Sequence, residues 1–294
     1  MLEKKLDGFN ILITGASSGI GRSVAIGLAS KGARVGLMAR REALLKDVVD
    51  EIKKSGGDAS YEVTDVIDYT NVKSSIDSFI EDFGRIDGII NNAGVGMFTK
   101  PFSKHEPGEL DKIIDTNLKG VMHSTLAALP HMEQNKSGRI VNTSSLSTFA
   151  YNQLPFFSIY ASSKWGINGF TKHLAYDERK YNITVNAVLP GWTATEMTSG
   201  DYTQNLLKEA GITPLPPEKL VPLYGFFFTE DAEMVSGTLV MVDHVLDAWE
   251  MGRNMPENER NWRGISGILH EKYSKREMVD LGTNKKLIDY LLKI

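Results

Sequence analysis

Short apolar runs alternate with helix-length amphipathic segments through most of this 294-residue chain. The apolar runs lie at residues 9–14, 34–39, 87–91, 139–143, 183–188 and 238–242. Segments with helical periodicity lie between them, at residues 20–30, 42–54, 72–83, 110–129 and 161–179. Such alternation predicts an α/β fold, a doubly wound parallel sheet with helices on both faces. All strands would then carry their carboxyl ends, where ligands bind, on one edge of the sheet.

Two regions depart from this alternation. Residues 196–217 contain several Thr, Gly and Pro residues and a short helical piece, and our hypothesis is a lid over the substrate. Beyond residue 245 the sequence becomes polar and charged, with helical patches. We therefore expect a single catalytic domain over residues 1–245 and a helical C-terminal extension over residues 246–294.

Composition and charge exclude several classes of function. The formal net charge of -4 gives no reason to expect nucleic acid or an anionic membrane as a partner. The absence of cysteine excludes disulfides, thiolate nucleophiles and cysteine-ligated metals, and the histidines lack the spacing of a metal site. No run of about 18 apolar residues could span a bilayer. We expect a cytoplasmic protein without a metal.

A glycine-rich turn, Thr14-Gly15-Ala16-Ser17-Ser18-Gly19-Ile20-Gly21, joins the first predicted strand to the first predicted helix. Gly15 permits a tight turn, Gly19 allows the backbone to approach a pyrophosphate, and Gly21 allows close helix–sheet packing. The helix N-terminus offers free N–H groups and a positive dipole end to phosphates. The turn predicts a dinucleotide site; the alternative is a glycine-rich loop that binds nothing.

The end of the second predicted strand indicates which dinucleotide binds. An NAD-selective site usually has an acidic residue there, whereas this chain has Ala39 followed by Arg40 and Arg41. A guanidinium matches a 2′-phosphate in charge and in its planar set of donors. We therefore predict NADP(H), with Arg40 as the contact. The alternative is that both arginines belong to a solvated helix start, although basic residues are unfavourable in a first helical turn.

Tyr160 and Lys164 lie four residues apart in a predicted helix and therefore share one face. A free tyrosine has a pKa of about 10 and is a poor base near neutrality. A nearby ammonium stabilises tyrosinate and lowers that pKa, so the pair predicts an acid/base centre. Asn117 lies within the long helix predicted at 110–129, where an asparagine is intrinsically unfavourable, and this suggests a polar task. Alone, each of these matches is weak.

Together these segments closely resemble the main short-form branch of the short-chain dehydrogenase/reductase family, over about residues 6–243. The resemblance implies a Rossmann-type fold and an oxidoreductase. It implies that Tyr160 exchanges a proton with the substrate oxygen, Ser145 hydrogen-bonds that oxygen, Lys164 holds the nicotinamide ribose and lowers the pKa of Tyr160, and Asn117 positions a water in a proton relay. Asp65 and Val66 would contact adenine, Asn91, Ala93 and Gly94 the ribose region, and Pro190, Gly191, Thr193 and Thr195 the nicotinamide. The cofactor residues implied by the turn itself are Gly15, Ser17, Ser18, Gly19, Ile20 and Gly21.

The sequence departs from the family pattern at several positions. Ser145 lies slightly farther before Tyr160 than usual, so Ser144 is a reserve candidate for its role. Thr193 stands where the family tends to have Val or Ile. Aromatic and apolar residues near the catalytic segments predict a substrate pocket, formed by Ser145, Tyr151, Phe157, Trp192 and Met197, with Phe149 as a further candidate.

The predicted function is hydride transfer between NADP(H) and a carbonyl or alcohol, and the favoured substrate is a bulky apolar or aromatic ketone or secondary alcohol. Three alternatives stay open: a sugar or polyol dehydrogenase of the same family, a catalytically silent NADP(H)-binding regulator, and a scaffold that uses its tail to bind a partner. The resemblance also implies a homo-oligomer, a dimer or tetramer. Phe226, Phe227 and Phe228 would lie in the core or in the subunit interface.

Overall fold

The computed structural model describes residues 6–96, 100–149 and 155–254, together with residues 286–287 and 290–291. Within them, seven strands form one sheet in which every pairing is parallel, in the order β3-β2-β1-β4-β5-β6-β7. The strands are β1 Asn10–Thr14, β2 Arg34–Ala39, β3 Asp58–Val63, β4 Gly88–Asn91, β5 Gly138–Thr143, β6 Ile183–Leu189 and β7 Leu239–Met241. The predicted parallel sheet is confirmed. Strand β3 was not predicted, because this edge strand is partly exposed and has no continuous apolar run.

Helices cover both faces of the sheet, as predicted. In the described part of the chain they are α1 Gly19–Ser30, α2 Glu42–Lys54, α3 Tyr69–Phe83, α4 Pro107–Ile114, α5 Gly120–Asn135, α6 Ser158–Asp177, α7 Asp201–Glu209, α8 Val221–Phe226 and α9 Val242–Asn254. Leu28 of α1 and Phe226 of α8 belong to one core cluster, while Ile76 of α3 and Met132 of α5 belong to another. Strands β1 and β6 are buried along their whole length, which explains why their sequences are mostly apolar.

The helix predicted at residues 110–129 is interrupted. A π-helical turn, Asp115–Lys119, separates α4 from α5 and contains Asn117. Such wide turns recur at functional sites because they redirect side chains and carbonyls within a helix. Asn117, which is unfavourable within a regular α-helix, therefore lies in the π-helical turn.

The order of the strands fixes where a ligand can bind. β1 pairs with β2 on one side and with β4 on the other, so the chain reverses its direction across the sheet between β3 and β4. In doubly wound sheets this reversal opens a crevice at the carboxyl ends of the two central strands. The glycine-rich turn follows β1 directly and therefore lies at the mouth of that crevice.

The described residues after β7 pack into the core, and the division into a domain over residues 1–245 and an extension over residues 246–294 stays a prediction. β7 leads straight into α9, so the expected boundary at residue 245 falls inside a helix. Leu287, Tyr290 and Leu291 are buried in the core cluster that contains Phe226, and the indole Nε1 of Trp249 donates to the carbonyl of Leu291 at 2.9 Å.

The three consecutive phenylalanines Phe226, Phe227 and Phe228 lie in the core, which settles the choice between core and subunit interface. No helix among the described residues combines the length and apolar character needed to cross a membrane.

Candidate active site

A cavity of about 1070 Å³ runs along the carboxyl edge of the sheet, from Arg40 after β2 to Trp192 after β6. Most of the residues predicted to form the site line it: Gly15, Ser17, Ser18, Gly19, Ile20, Arg40, Asp65, Val66, Ala93, Gly94, Ser145, Phe157, Tyr160, Lys164, Pro190, Gly191, Trp192, Thr193, Thr195 and Met197. Gly21, Asn91 and Asn117 do not line it. The predicted substrate residue Tyr151 lies outside the described residues.

The glycines of the turn are required by close backbone contacts. Gly15 has a φ of 67°, and a Cβ there would come within 2.7 Å of the Ala93 Cα. A Cβ at Gly21 would collide with the carbonyl of Gly15 and lie 2.6 Å from Asn92 Nδ2. Gly21 thus acts by packing behind the cavity wall. The Ser18 side chain does not cap α1, so the N–H groups at the start of that helix are available to an anion in the cavity.

Two arginines follow β2 at one end of the cavity. The guanidinium of Arg40 is 64% exposed and lies 3.9 Å from a carboxylate oxygen of Asp65. Arg41 lies closer to the glycine-rich turn, where its Nη2 donates to Ser18 Oγ at 2.7 Å and to Ser17 Oγ at 3.2 Å. Sequence analysis assigned only Arg40 to the cofactor. The adjacent Arg41 carried the same signal, and its side chain also lines the cavity.

Tyr160 and Lys164 lie on the face of α6 that closes the cavity, and both are almost fully buried, at 9% and 4% exposure. Burial raises the pKa of Tyr160 to about 12, and a hydrogen bond with Ser145 opposes that rise. Burial lowers the pKa of Lys164 to about 8. The Lys164 Nζ donates to the carbonyl of Thr143 at 2.8 Å and lies 5.7 Å from the centre of the Tyr160 ring.

The expected lowering of the Tyr160 pKa by Lys164 does not appear in this geometry. Desolvation dominates because the phenol is buried, while the ammonium is held by the carbonyl at the end of β5. The hydrogen bond with Ser145 opposes the rise in the pKa of Tyr160 without outweighing the effect of burial.

Ser144 and Ser145 have different partners, and this separates their roles. Ser145 bonds the phenol of Tyr160 and accepts from the backbone N–H of Ser147 at 3.1 Å. Ser144 Oγ instead donates to the backbone carbonyl of Lys164 at 3.1 Å. Ser144 therefore ties the end of β5 to α6, and Ser145 is the serine that contacts the tyrosine.

Asn117 is fully buried, and its side chain braces the loop after β4. Its Oδ1 accepts from the Val95 N–H at 2.7 Å, and its Nδ2 donates to the Val95 carbonyl at 2.9 Å and to Ser163 Oγ at 3.2 Å. A Cβ at Gly94 would lie 3.3 Å from Asn117 Oδ1 and 3.7 Å from Lys164 Nζ. Asn117 thus lies beside Lys164 and fixes the loop that passes between them. Its part in a water relay stays a prediction.

The side chain of Asn91 points into the core and does not line the cavity. Asn91 is 1% exposed, and its Nδ2 donates to Asn142 Oδ1 at 2.8 Å and to Thr125 Oγ1 at 3.0 Å. Its side chain therefore links neighbouring strands beneath the cavity floor, while the residues after it, Asn92 to Gly94, line the cavity. The Nδ2 of Asn91 is thus occupied within the core, and a contact of Asn91 with the ribose of the cofactor stays a prediction.

The other end of the cavity is aromatic. The ring of Phe157 packs edge-on against Tyr160 at 6.0 Å and against Trp192 at 6.1 Å. Met197 lines the same region from a 3₁₀ turn, Glu196–Thr198. Phe149 is not part of this lining: it packs against Trp165, with ring centroids 5.1 Å apart.

Helix α9 adds an acidic wall that sequence analysis missed. Asp243, Asp247 and Glu250 line the cavity from successive turns of α9. A Cβ at Gly191 would lie 2.6 Å from a carboxylate oxygen of Asp243. Burial raises the pKa of Asp243, and the charge of Asp247 raises it further. The helical spacing of these acids is visible in the sequence, but only the fold shows that α9 faces the cavity.

Comparison with known proteins agrees with this geometry. The model of the family described as short chain dehydrogenase matches residues 10–205. A 3-oxoacyl-[acyl-carrier-protein] reductase of Staphylococcus aureus is 35% identical over 239 residues, which cover 79% of this chain and 95% of the relative.

Two solved structures share the fold. The 3-ketoacyl-(acyl-carrier-protein) reductase from Brucella melitensis complexed with NADH has a TM-score of 0.74 and 28% identity, over 81% of this chain and 97% of that one. Carveol dehydrogenase from Mycobacterium avium in complex with NAD has a TM-score of 0.75 and 27% identity, over 81% and 97%. With the parallel sheet, the glycine-rich turn and the buried tyrosine–lysine pair, these matches establish that the chain belongs to the short-chain dehydrogenase/reductase family and is an oxidoreductase that uses a nicotinamide dinucleotide.

Proposed function

We propose that this protein transfers hydride between NADP(H) and a carbonyl or alcohol substrate, with Tyr160 as the acid/base. The observation that carries the proposal is the buried phenol of Tyr160, hydrogen-bonded by Ser145 and facing the same cavity as Lys164 and the glycine-rich turn. A buried, perturbed titratable group in a cleft is typical of a catalytic residue.

The residues present fit a dinucleotide. The cavity extends from the arginines after β2, past the open N-terminus of α1, to the aromatic residues beside Tyr160. Gly15 and Gly19 leave room where a side chain would fill the passage: a Cβ at Gly19 would lie 3.0 Å from Thr195 Cγ2. The glycine turn and α1 would hold the pyrophosphate, and Lys164 would hold the nicotinamide ribose.

We propose the cofactor with the 2′-phosphate because the residues after β2 are positively charged. Ala39 at the end of β2 provides no carboxylate for a ribose hydroxyl, while Arg40 and Arg41 bring two guanidinium groups. The solved relatives described above hold NADH and NAD, so the preference belongs to these particular side chains rather than to the fold.

The chemistry supplied by the bound dinucleotide is hydride transfer to or from carbon. In the direction of reduction, Tyr160 Oη gives its proton to the substrate oxygen, and Ser145 donates a hydrogen bond that steadies the charge developing there. In oxidation the tyrosine takes the proton back. Lys164 orients the sugar and places a positive charge near the phenol once its Nζ turns from the Thr143 carbonyl.

The substrate end of the cavity favours a bulky apolar or aromatic ketone or secondary alcohol. Phe157, Trp192 and Met197 offer apolar surface beside Tyr160, whereas a sugar or polyol would need a denser set of polar partners. The acidic wall of α9 would repel a negatively charged group on the substrate. The complete set of Ser145, Tyr160 and Lys164 argues against a silent regulator.

The direct test is a panel of ketones, polyols and acyl thioesters with NADPH or NADH, followed by absorbance of the reduced nicotinamide. We expect turnover with apolar ketones and a higher kcat/KM with NADPH. Higher kcat/KM with NADH would contradict the cofactor assignment, and turnover confined to polyols would contradict the substrate class.

We also propose a homo-oligomer. Apolar side chains are exposed on α5 and α6, and each pair shares one helix face: Met122 with Leu126, and Trp165 with Tyr176. A second copy of the chain would cover them. Light scattering of the full chain tests this, because a monomer at micromolar concentration would contradict it.

A further inference from the structure

The carboxylate of Glu196 lies against the residues that would receive the phosphates of the cofactor. Its Oε2 accepts from Arg41 Nη1 at 2.8 Å and from Ser18 Oγ at 3.3 Å. The other terminal nitrogen of Arg41 donates to Ser17 and Ser18. An anion of the protein itself therefore occupies part of a site built from a guanidinium, serine hydroxyls and a helix N-terminus, all of which attract anions.

The backbone holds Glu196 firmly in that place. Thr195 and Thr198 cap the short turn that carries it: the Thr195 N–H donates to Thr198 Oγ1 at 3.1 Å, and Thr198 Oγ1 donates to the Thr193 carbonyl at 2.7 Å. Thr195 also lies directly over the glycine-rich turn, next to Gly19. These hydrogen bonds hold the turn in place, and the carboxylate of Glu196 reaches Arg41 from that fixed turn at the cavity wall.

The guanidinium of Arg41 cannot make its full set of hydrogen bonds to the Glu196 carboxylate and to a 2′-phosphate at the same time. Its Nη2 is engaged by the serines and its Nη1 by Glu196, so a 2′-phosphate reaching this guanidinium must displace the carboxylate or bind beside a like charge. An adenosine ribose without that phosphate brings no such conflict. The carboxylate therefore acts against the phosphorylated cofactor more than against the unphosphorylated one.

We propose that Glu196 is a specificity-determining residue: its carboxylate competes with the 2′-phosphate for Arg41 and so limits the preference for NADP(H) over NAD(H). The proposal rests on the proposed function, since it takes the dinucleotide to lie along this cavity. It also couples the charge of the bound cofactor to the segment at 196–217. NADP(H) would displace the carboxylate of Glu196 from Arg41, whereas NAD(H) would leave that ion pair intact.

The size of the effect follows from exposure. The side chains of Arg41 and Glu196 are 47% and 62% exposed, so solvent and salt screen the pair. Exposed ion pairs are worth up to about 1 kcal/mol, which corresponds to about a fivefold change in a dissociation constant. Glu196 therefore changes the size of the preference for NADP(H) over NAD(H), while the arginines provide that preference.

The experiment measures dissociation constants of the full chain for NADPH and NADH by fluorescence titration, before and after Glu196→Gln. We expect NADPH to bind about fivefold more tightly in the variant, while NADH changes by less than about twofold. Adenosine 2′,5′-bisphosphate and adenosine 5′-monophosphate should repeat this contrast without the nicotinamide. The gain should shrink as salt rises, because the pair is exposed.

Glu51→Gln is the matched control. Glu51 also pairs with an arginine, Arg22, and both are about as exposed as the proposed pair, but neither lines the cavity. This variant makes the same change in net charge and should leave the ratio of the two dissociation constants unaltered.

Two results would overturn the proposal. Equal tightening of NADPH and NADH would mean that Glu196 repels the pyrophosphate or the cofactor as a whole. Weaker binding of NADPH would mean that Glu196 positions Arg41 instead of competing for it. Both differ from failure of the proposed function: a wild-type protein that prefers NADH would contradict the NADP(H) assignment, yet a selective gain for NADPH in Glu196→Gln would still support this role.

Discussion

The phenol of Tyr160 is hydrogen-bonded to Ser145, and that bond opposes the effect of burial on the pKa of the tyrosine. Ser145→Ala should therefore raise this pKa further. In alcohol oxidation, where the phenol must accept a proton, the alkaline rise of kcat should move to higher pH. The lost donor to the substrate oxygen should also lower kcat by about 10²- to 10³-fold. A pH series of initial rates measures both effects.

Ser144→Ala is the control for that change. Ser144 bonds the backbone of Lys164 rather than the phenol, so its loss should leave the position of the alkaline rise unchanged. A shift as large in Ser144→Ala as in Ser145→Ala would return Ser144 to the role assigned to Ser145.

A buried carboxyl far from the catalytic groups should make stability depend on pH. Glu178 is 8% exposed, its Oε2 has no hydrogen-bond partner, and burial followed by the charge of Glu133 raises its pKa. Because the folded pKa is above the unfolded value, the stabilisation from the protonated form is fully present below the unfolded pKa and is lost as pH rises through the folded pKa.

The substitution Glu178→Gln removes the ionisation that lowers the stability of the fold, and it keeps a side chain of similar shape. We expect the free energy of unfolding to rise by about 1 kcal/mol at about pH 8 and to change little at about pH 4, as measured by urea denaturation. An equal effect at both pH values, or destabilisation at about pH 8, would show that the ionised carboxylate is well accommodated.

Two helical glycines offer a matched test of packing at the cofactor turn. Gly21→Ala should cost about 1–3 kcal/mol of stability and weaken dinucleotide binding, because the new Cβ would collide with the Gly15 carbonyl. Gly108→Ala, in the exposed first turn of α4, meets no atom within 4 Å and should gain up to about 1 kcal/mol. Thermal unfolding with and without NADPH separates the two, and a neutral Gly21→Ala would show that the turn can relax.

Local patterns in the sequence predicted six of the seven strands, the position of the turn and the shared helix face of Tyr160 and Lys164. Tyr160 and Lys164 are one helical turn apart, and Gly15 to Gly21 directly follow an apolar strand, so local spacing places each group on its element. The 3₁₀ turn that brings Glu196 to Arg41 lies 155 residues along the chain from that arginine, and no local pattern connects the two.

Contacts between residues that are distant in the sequence also explain the other differences between the predicted and the observed site. Asn91 is a residue type expected to contact a ligand, yet its Nδ2 bonds Thr125 and Asn142 within the core. Helix α9 shows its acidic periodicity in the sequence, but only the fold, which places Asp243 beside Gly191, shows which face meets the cavity. Side-chain partners from distant segments, rather than residue type, decide these assignments.

The central claim is that the Tyr160 phenol moves the proton in hydride transfer, and Tyr160→Phe tests it most directly. The ring keeps its contacts with Phe157 while the hydroxyl is lost, so NADPH should bind within about twofold of wild type. NADPH oxidation with the best ketone of the panel, followed by absorbance, should fall at least about 10²-fold. Turnover close to wild type with normal NADPH binding would contradict the account.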